Sequence, residues 1–91
     1  IEVNAGHRLS YQYHHHRQEF WTVVQGEAMV VLDGVEHVVK YGESIFIPLG
    51  AKHRIENRSS ELLVFIEVQT GTYFGEDDIV RIEDDYSREG K

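Results

Sequence analysis

The dipeptide Asp33-Gly34 constrains the fold of this chain more than any other feature. It separates two apolar, β-branched runs, AMVVL at 28–32 and VEHVV at 35–39. A two-residue loop between such runs closes an antiparallel hairpin through a type I′ turn, which needs positive φ at both loop positions. The rest of the chain has the same grain. Short β-rich segments are expected at residues 2–3, from Arg8 to His14, at 20–24, 44–48, 53–57 and 62–69, each bounded by turn formers such as Gly26, Gly42 and Gly50. The strand from Ser44 must end at Pro48, which has no N–H for a central ladder. The run at 62–69 is long enough for a helical segment, but its Val, Phe and Ile content favours a strand. No helix is expected before residue 76. The pattern describes an all-β sandwich or barrel.

Length and charge narrow the function. At 91 residues the chain supports one domain, near the lower end of what a single core stabilises. It has no cysteine, which removes disulfides and thiolate metal sites and fits a cytoplasmic setting. No apolar run is long enough to span a membrane. The net charge of −7 opposes nucleic-acid binding. Much of it lies in residues 76–91, where seven acids face only Arg81, Arg88 and Lys91. Residues 71–91 nevertheless carry Tyr73, Phe74, Ile79, Val80, Ile82 and Tyr86, so this extension is expected to fold back on the barrel, with Ile79 and Ile82 packed and its acids in solvent.

Chemistry concentrates in two stretches. In a strand, residues two apart share a face, so Gln12 and His14 can address one point. Glu19 returns on the next strand and His53 arrives from far along the chain. Imidazoles, a carboxylate and an amide oxygen suit a divalent transition metal with open positions, Zn²⁺ first, with Mn²⁺, Fe²⁺, Co²⁺ or Ni²⁺ as alternatives. Strand alternation alone leaves the register of His14-His15-His16 open: His14 and His16 face one way and His15 the other. His7 and His37 read as surface residues, and Trp21, on the face of Glu19, reads as core.

The spacing Gly6-x5-Gln12-x-His14-x4-Glu19-x6-Gly26 resembles the first cupin motif, with Gln12 where the usual pattern has a histidine. Gly42-x5-Pro48-x-Gly50-x2-His53-x3-Asn57 resembles the second motif throughout. The resemblance implies a small antiparallel double-stranded β-helix, a jelly-roll barrel, with a metal inside. It selects His14 over His15 and His16, and leaves Gln12 either as an amide ligand or behind a three-residue site. The flanking Leu9-Ser10, Arg17, Trp21 and Arg54, and the tail from Glu67-Val68-Gln69 through Gly75-Glu76-Asp77-Asp78-Ile79 to Arg81, extend it. These are similar to the C-terminal cupin domain of type II phosphomannose isomerase, which in bifunctional members follows a mannose-1-phosphate guanylyltransferase domain. No phosphate motif of that second domain is present in these residues.

The resemblance implies a single cupin domain over residues 1–91 that interconverts mannose 6-phosphate and fructose 6-phosphate. Glu67 would be the base moving the proton between C1 and C2, and Arg81 and Arg88 would hold the phosphate, with Arg17 and Arg54 as further candidates. The same ligands would equally serve a non-catalytic metal cupin that binds a sugar phosphate or related anion. A homodimer is expected through Leu9, Tyr11, Tyr13 and Phe20, read as the outer face of the first strands.

Overall fold

The computed structural model describes residues 1–83. Among the described residues nine strands run in chain order: β1 (Glu2–Val3), β2 (Tyr11–His14), β3 (Arg17–Gln25), β4 (Ala28–Leu32), β5 (Val35–Val39), β6 (Ser44–Ile47), β7 (His53–Glu56), β8 (Leu63–Gly71) and β9 (Ile79–Glu83). One 3₁₀ turn, Glu76–Asp78, precedes β9. The strands form two antiparallel sheets, ordered β1-β8-β3-β6 and β5-β4-β7-β2-β9. The all-β, cupin-type architecture expected from the sequence is the one observed.

Local chemistry sets these elements. Asp33 and Gly34 hold φ of 48° and 82°, the double positive φ that the two-residue loop requires. Val35 follows directly, in register with Leu32. Strand β3 begins at Arg17, earlier than the apolar pattern from Phe20 suggests, and its buried positions alternate through Arg17, Glu19, Trp21 and Val23. It pairs with β8 from Arg17↔Gly71 to Gln25↔Val64, with a bulge after Val23. Gly71 is demanded by that pairing, because a Cβ there would collide with the His16 carbonyl oxygen and Arg17 Cα.

The inner faces therefore have two ends. Val23, Val30, Ile55, Leu63 and Phe65 fill the closed end, all almost completely buried. Each such large side chain contributes about 1.5–3 kcal/mol of burial free energy. At the other end the inward positions of β2, β3, β7 and β8 become polar: His14, Arg17, Glu19, His53, Glu67 and Gln69. The apolar end fixes the register, and the register aims the polar end.

The extension does reach the barrel as far as it is described. Strand β9 adds to the edge of the second sheet, pairing with β2 from Gln12↔Arg81 to His14↔Ile79. Two expectations for it change. Asp78 is buried rather than in solvent, because its carboxylate accepts bonds from the His15 and His16 N–H groups, both at 3.0 Å, and from His16 Nδ1 at 2.8 Å. Ile82 is 46% exposed, while Ile79 lines the pocket described below. Phe20 also departs from the expected dimer face: β3 and β2 lie in different sheets, and Leu9, Tyr11 and Tyr13 are half-buried.

Candidate metal centre

His14, Glu19 and His53 converge at the polar end, with one ligand atom from each lying within 4.8 Å of the others. All three are buried. His14 Nε2 lies 3.7 Å from Glu19 Oε2, and His53 Nε2 lies 4.0 Å from Glu19 Oε1. The two imidazoles stack at 5.2 Å.

Neighbouring groups orient each ligand. His53 Nδ1 donates to the Ala51 carbonyl at 2.9 Å, which fixes the tautomer and turns an unprotonated Nε2 toward the site. That Nε2 is buried and has no hydrogen-bond partner. Trp21 Nε1 donates to Glu19 Oε1 at 2.9 Å, while its ring packs on His53 and Phe65. Trp21 is thus core, as expected, and also a holder of the carboxylate. Arg17 donates from Nη2 to His14 Nε2 at 2.8 Å, and its Nε lies 3.4 Å from Glu19 Oε2.

Protonation follows from this environment. Burial, together with Arg17 and His53, lowers His14 to about 4. Burial likewise holds His53 below the ordinary imidazole range. Both rings are neutral at pH 7 and have lone pairs to offer. Burial and the Glu67 carboxylate push Glu19 up to about 7. An orphaned imidazole nitrogen, two neutral rings and a buried carboxylate fit a divalent metal.

A pocket of about 290 Å³ opens onto the cluster, its wall including Gln12, Glu67, Gln69, Ile79 and Arg81 beside His14 and Glu19. Gln12 sits opposite His53 in the β2–β7 ladder, on the pocket wall. Glu67 accepts a hydrogen bond from Gln69 Nε2 there. Arg81 reaches the same wall from β9, whereas Arg88 lies outside the described residues. His15 and His16 are exposed, which removes them as ligands. Arg54 Nε donates to the Leu9 carbonyl at 2.8 Å. A larger hollow of about 490 Å³, lined by His37, Glu43 and Ser44, contains none of the three ligands.

Sequence reasoning missed two participants. Arg17 figured only as a phosphate candidate, yet it is buried against two ligands. The i, i+2 alternation from Arg17 to Glu19 was the available signal. In the sequence Asp78 reads as one of several solvated acids. A triple-histidine corner with N–H groups to satisfy is a weak hint of its role.

A double-sheet jelly roll with two histidines and a glutamate at its open end defines the chain as a cupin. Residues 1–84 match the family described as Mannose-6-phosphate isomerase C-terminal, and the chain belongs to that family. It is 50% identical over 88 residues to the Salmonella typhimurium protein named Mannose-1-phosphate guanylyltransferase ManC, covering 97% of this chain and 18% of that protein. An Escherichia coli K12 protein named Mannose-1-phosphate guanylyltransferase is also 50% identical, with the same coverage. The chain therefore spans under a fifth of the length of these relatives. Among solved structures, the capsular polysaccharide assembling protein CapF of Staphylococcus aureus superposes with a TM-score of 0.81 at 23% identity, over 91% of this chain and 27% of that one. At that identity the likeness shows the fold alone.

These relatives correct the expected activity. They are enzymes named for guanylyl transfer to mannose 1-phosphate, not for mannose 6-phosphate isomerisation. Their names overturn the expectation of a mannose-6-phosphate isomerase, which leaves Glu67 with no isomerisation to serve.

Proposed function

We propose that this chain is a metal-holding cupin module that binds a phosphorylated sugar of the mannose 1-phosphate type, serving a mannose-1-phosphate guanylyltransferase as an accessory site. The observation that carries the reading is the buried, unpartnered Nε2 of His53 within reach of His14 and Glu19, which themselves line a pocket walled by Arg81. His14, Glu19 and His53 would hold the ion, with Gln12 within the same wall; Zn²⁺ suits this donor set best. When bound, the ion supplies a Lewis-acidic hold on sugar oxygens.

The chain's own residues do the rest. Arg81 offers a guanidinium that can grip a phosphate by paired N–H donors. Gln12, Gln69 and Glu67 present amide and carboxylate groups matched to sugar hydroxyls, and Ile79 supplies an apolar wall. Phosphorylated sugars do not cross membranes unaided, which favours the cytoplasm for this work. Among the described residues no helix is long and apolar enough to span a bilayer.

Calorimetric titration of the zinc-loaded protein with mannose 1-phosphate tests the reading. Saturable binding that is lost in Arg81→Met, with mannose itself binding far more weakly, is expected. No heat with mannose 1-phosphate, or equal affinity for mannose, would reject it.

A further inference from the structure

The guanidinium of Arg17 lies against two of the three candidate ligands, His14 and Glu19. Its Nη2 donates to His14 Nε2 at 2.8 Å, and its Nε faces Glu19 Oε2 at 3.4 Å. The side chain is 4% exposed, so both contacts are made away from water. The third edge of the same planar group, Nη1, donates to the Phe74 carbonyl at 2.9 Å. Phe74 lies between β8 and β9, in the segment leading to Asp78 and to Arg81 on the pocket wall.

An imidazole nitrogen has one lone pair in the ring plane. His14 Nε2 can give it to Arg17 or to a metal ion, but not to both. A divalent ion at normal ligand distance from His14 and Glu19, roughly 2.0–2.2 Å, would also lie against a like-charged guanidinium. Arg17 must therefore leave His14 when the ion enters. The guanidinium is rigid, so drawing Nη2 off His14 turns or shifts Nη1 at the Phe74 carbonyl as well.

We infer that Arg17 is an internal stand-in for the metal, and that its displacement transmits metal occupancy to the segment around Phe74. This rests on the metal reading given above. Two consequences follow. The protein holds its ion more weakly than the bare ligand set would, because each binding event breaks a charge-assisted hydrogen bond. The position of the Phe74 segment, and through it the β9 wall carrying Arg81, also depends on whether metal is bound. By linkage, whatever fixes that segment in its displaced position raises metal affinity by the same factor.

Zinc affinity should be measured at pH 8 by competition with a chromophoric chelator, for the unaltered chain and for Arg17→Met. The variant should bind zinc tighter by roughly tenfold or more, the factor set by one charge-assisted hydrogen bond. A second measurement needs no variant. The Phe74 carbonyl shares its peptide unit with the Gly75 amide, so the Gly75 ¹H–¹⁵N resonance reports the bond from Nη1. It should move in step with zinc up to one equivalent in the unaltered chain. In metal-free Arg17→Met it should already be displaced, and zinc should move it little. Equal or weaker zinc binding by a folded Arg17→Met would overturn the inference and leave the metal site standing. A Gly75 resonance unmoved while zinc binds would do the same. Failure of the unaltered chain to take up zinc would overturn both.

Discussion

Replacing Glu19 with glutamine should stabilise the metal-free protein at alkaline pH while removing its metal. The carboxyl rests at about 7 in the folded chain against 4.5 for an ordinary glutamate. The folded state therefore binds the proton more tightly than the unfolded state, and stability falls as pH rises between those values. At 1.36 kcal/mol for each tenfold in the acid constant, an ionised Glu19 costs the fold about 3 kcal/mol above pH 7. The glutamine side chain carries no such cost, and its amide oxygen can still accept from Trp21 Nε1. The lowered His14 gives the opposite trend, with stability rising with pH up to its ordinary value, but it is present in both proteins and cancels in their difference. Urea denaturation in the presence of a chelator, at pH 5 and pH 8, isolates the effect. Glu19→Gln should exceed the unaltered chain by under about 1 kcal/mol at pH 5 and by about 3 kcal/mol at pH 8, a gain at pH 8 on the order of 10–20 °C in Tm for a domain this size. An equal difference at both pH values, or a loss of stability at pH 8, would refute the claim that this buried carboxylate is held against the preference of the fold.

Other expectations follow from the packing and the surface. Phe65→Ala should cost about 3–5 kcal/mol, since the ring is 1% exposed and supports Trp21; urea denaturation at pH 5 measures it, and a cost under about 1 kcal/mol would show a core that collapses around the gap. For the homodimer, we propose the outer face of the first sheet, where Phe20 stands in register with Phe46 and Val68 and all three are 40–54% exposed. Light scattering should show a dimer that Phe46→Lys converts to monomer, and a monomeric unaltered chain at micromolar concentration would reject that face.

The parts of this molecule that were legible in the sequence are those governed by local rules. Asp33-Gly34 allowed one kind of turn, and two-residue alternation put Gln12 and His14 on one side of β2. The motif spacing then chose His14 over His15 and His16. What escaped depends on contacts distant in sequence. The start of β3 was hidden because Arg17-Gln18-Glu19 has no apolar signature; its inward side chains are buried for the site rather than for the core. Asp78 looked like its acidic neighbours until β9 carried it against the His15-His16 corner. Phe20 shared an alternation with nothing on β2, since strand faces are periodic in sequence but the division of strands between sheets is not. The reaction was misjudged for a related reason: a ligand set and a tail motif define a family, while the chemistry belongs to sites that a family can vary.

The central claim is that His14, Glu19 and His53 hold a divalent metal, and metal content tests it most directly. Untagged protein equilibrated with zinc and desalted should contain close to one ion per chain by elemental analysis. His53→Gln, shown by circular dichroism to keep its β structure, should contain almost none. Full zinc occupancy in that variant, or its absence from the unaltered chain, would contradict the account.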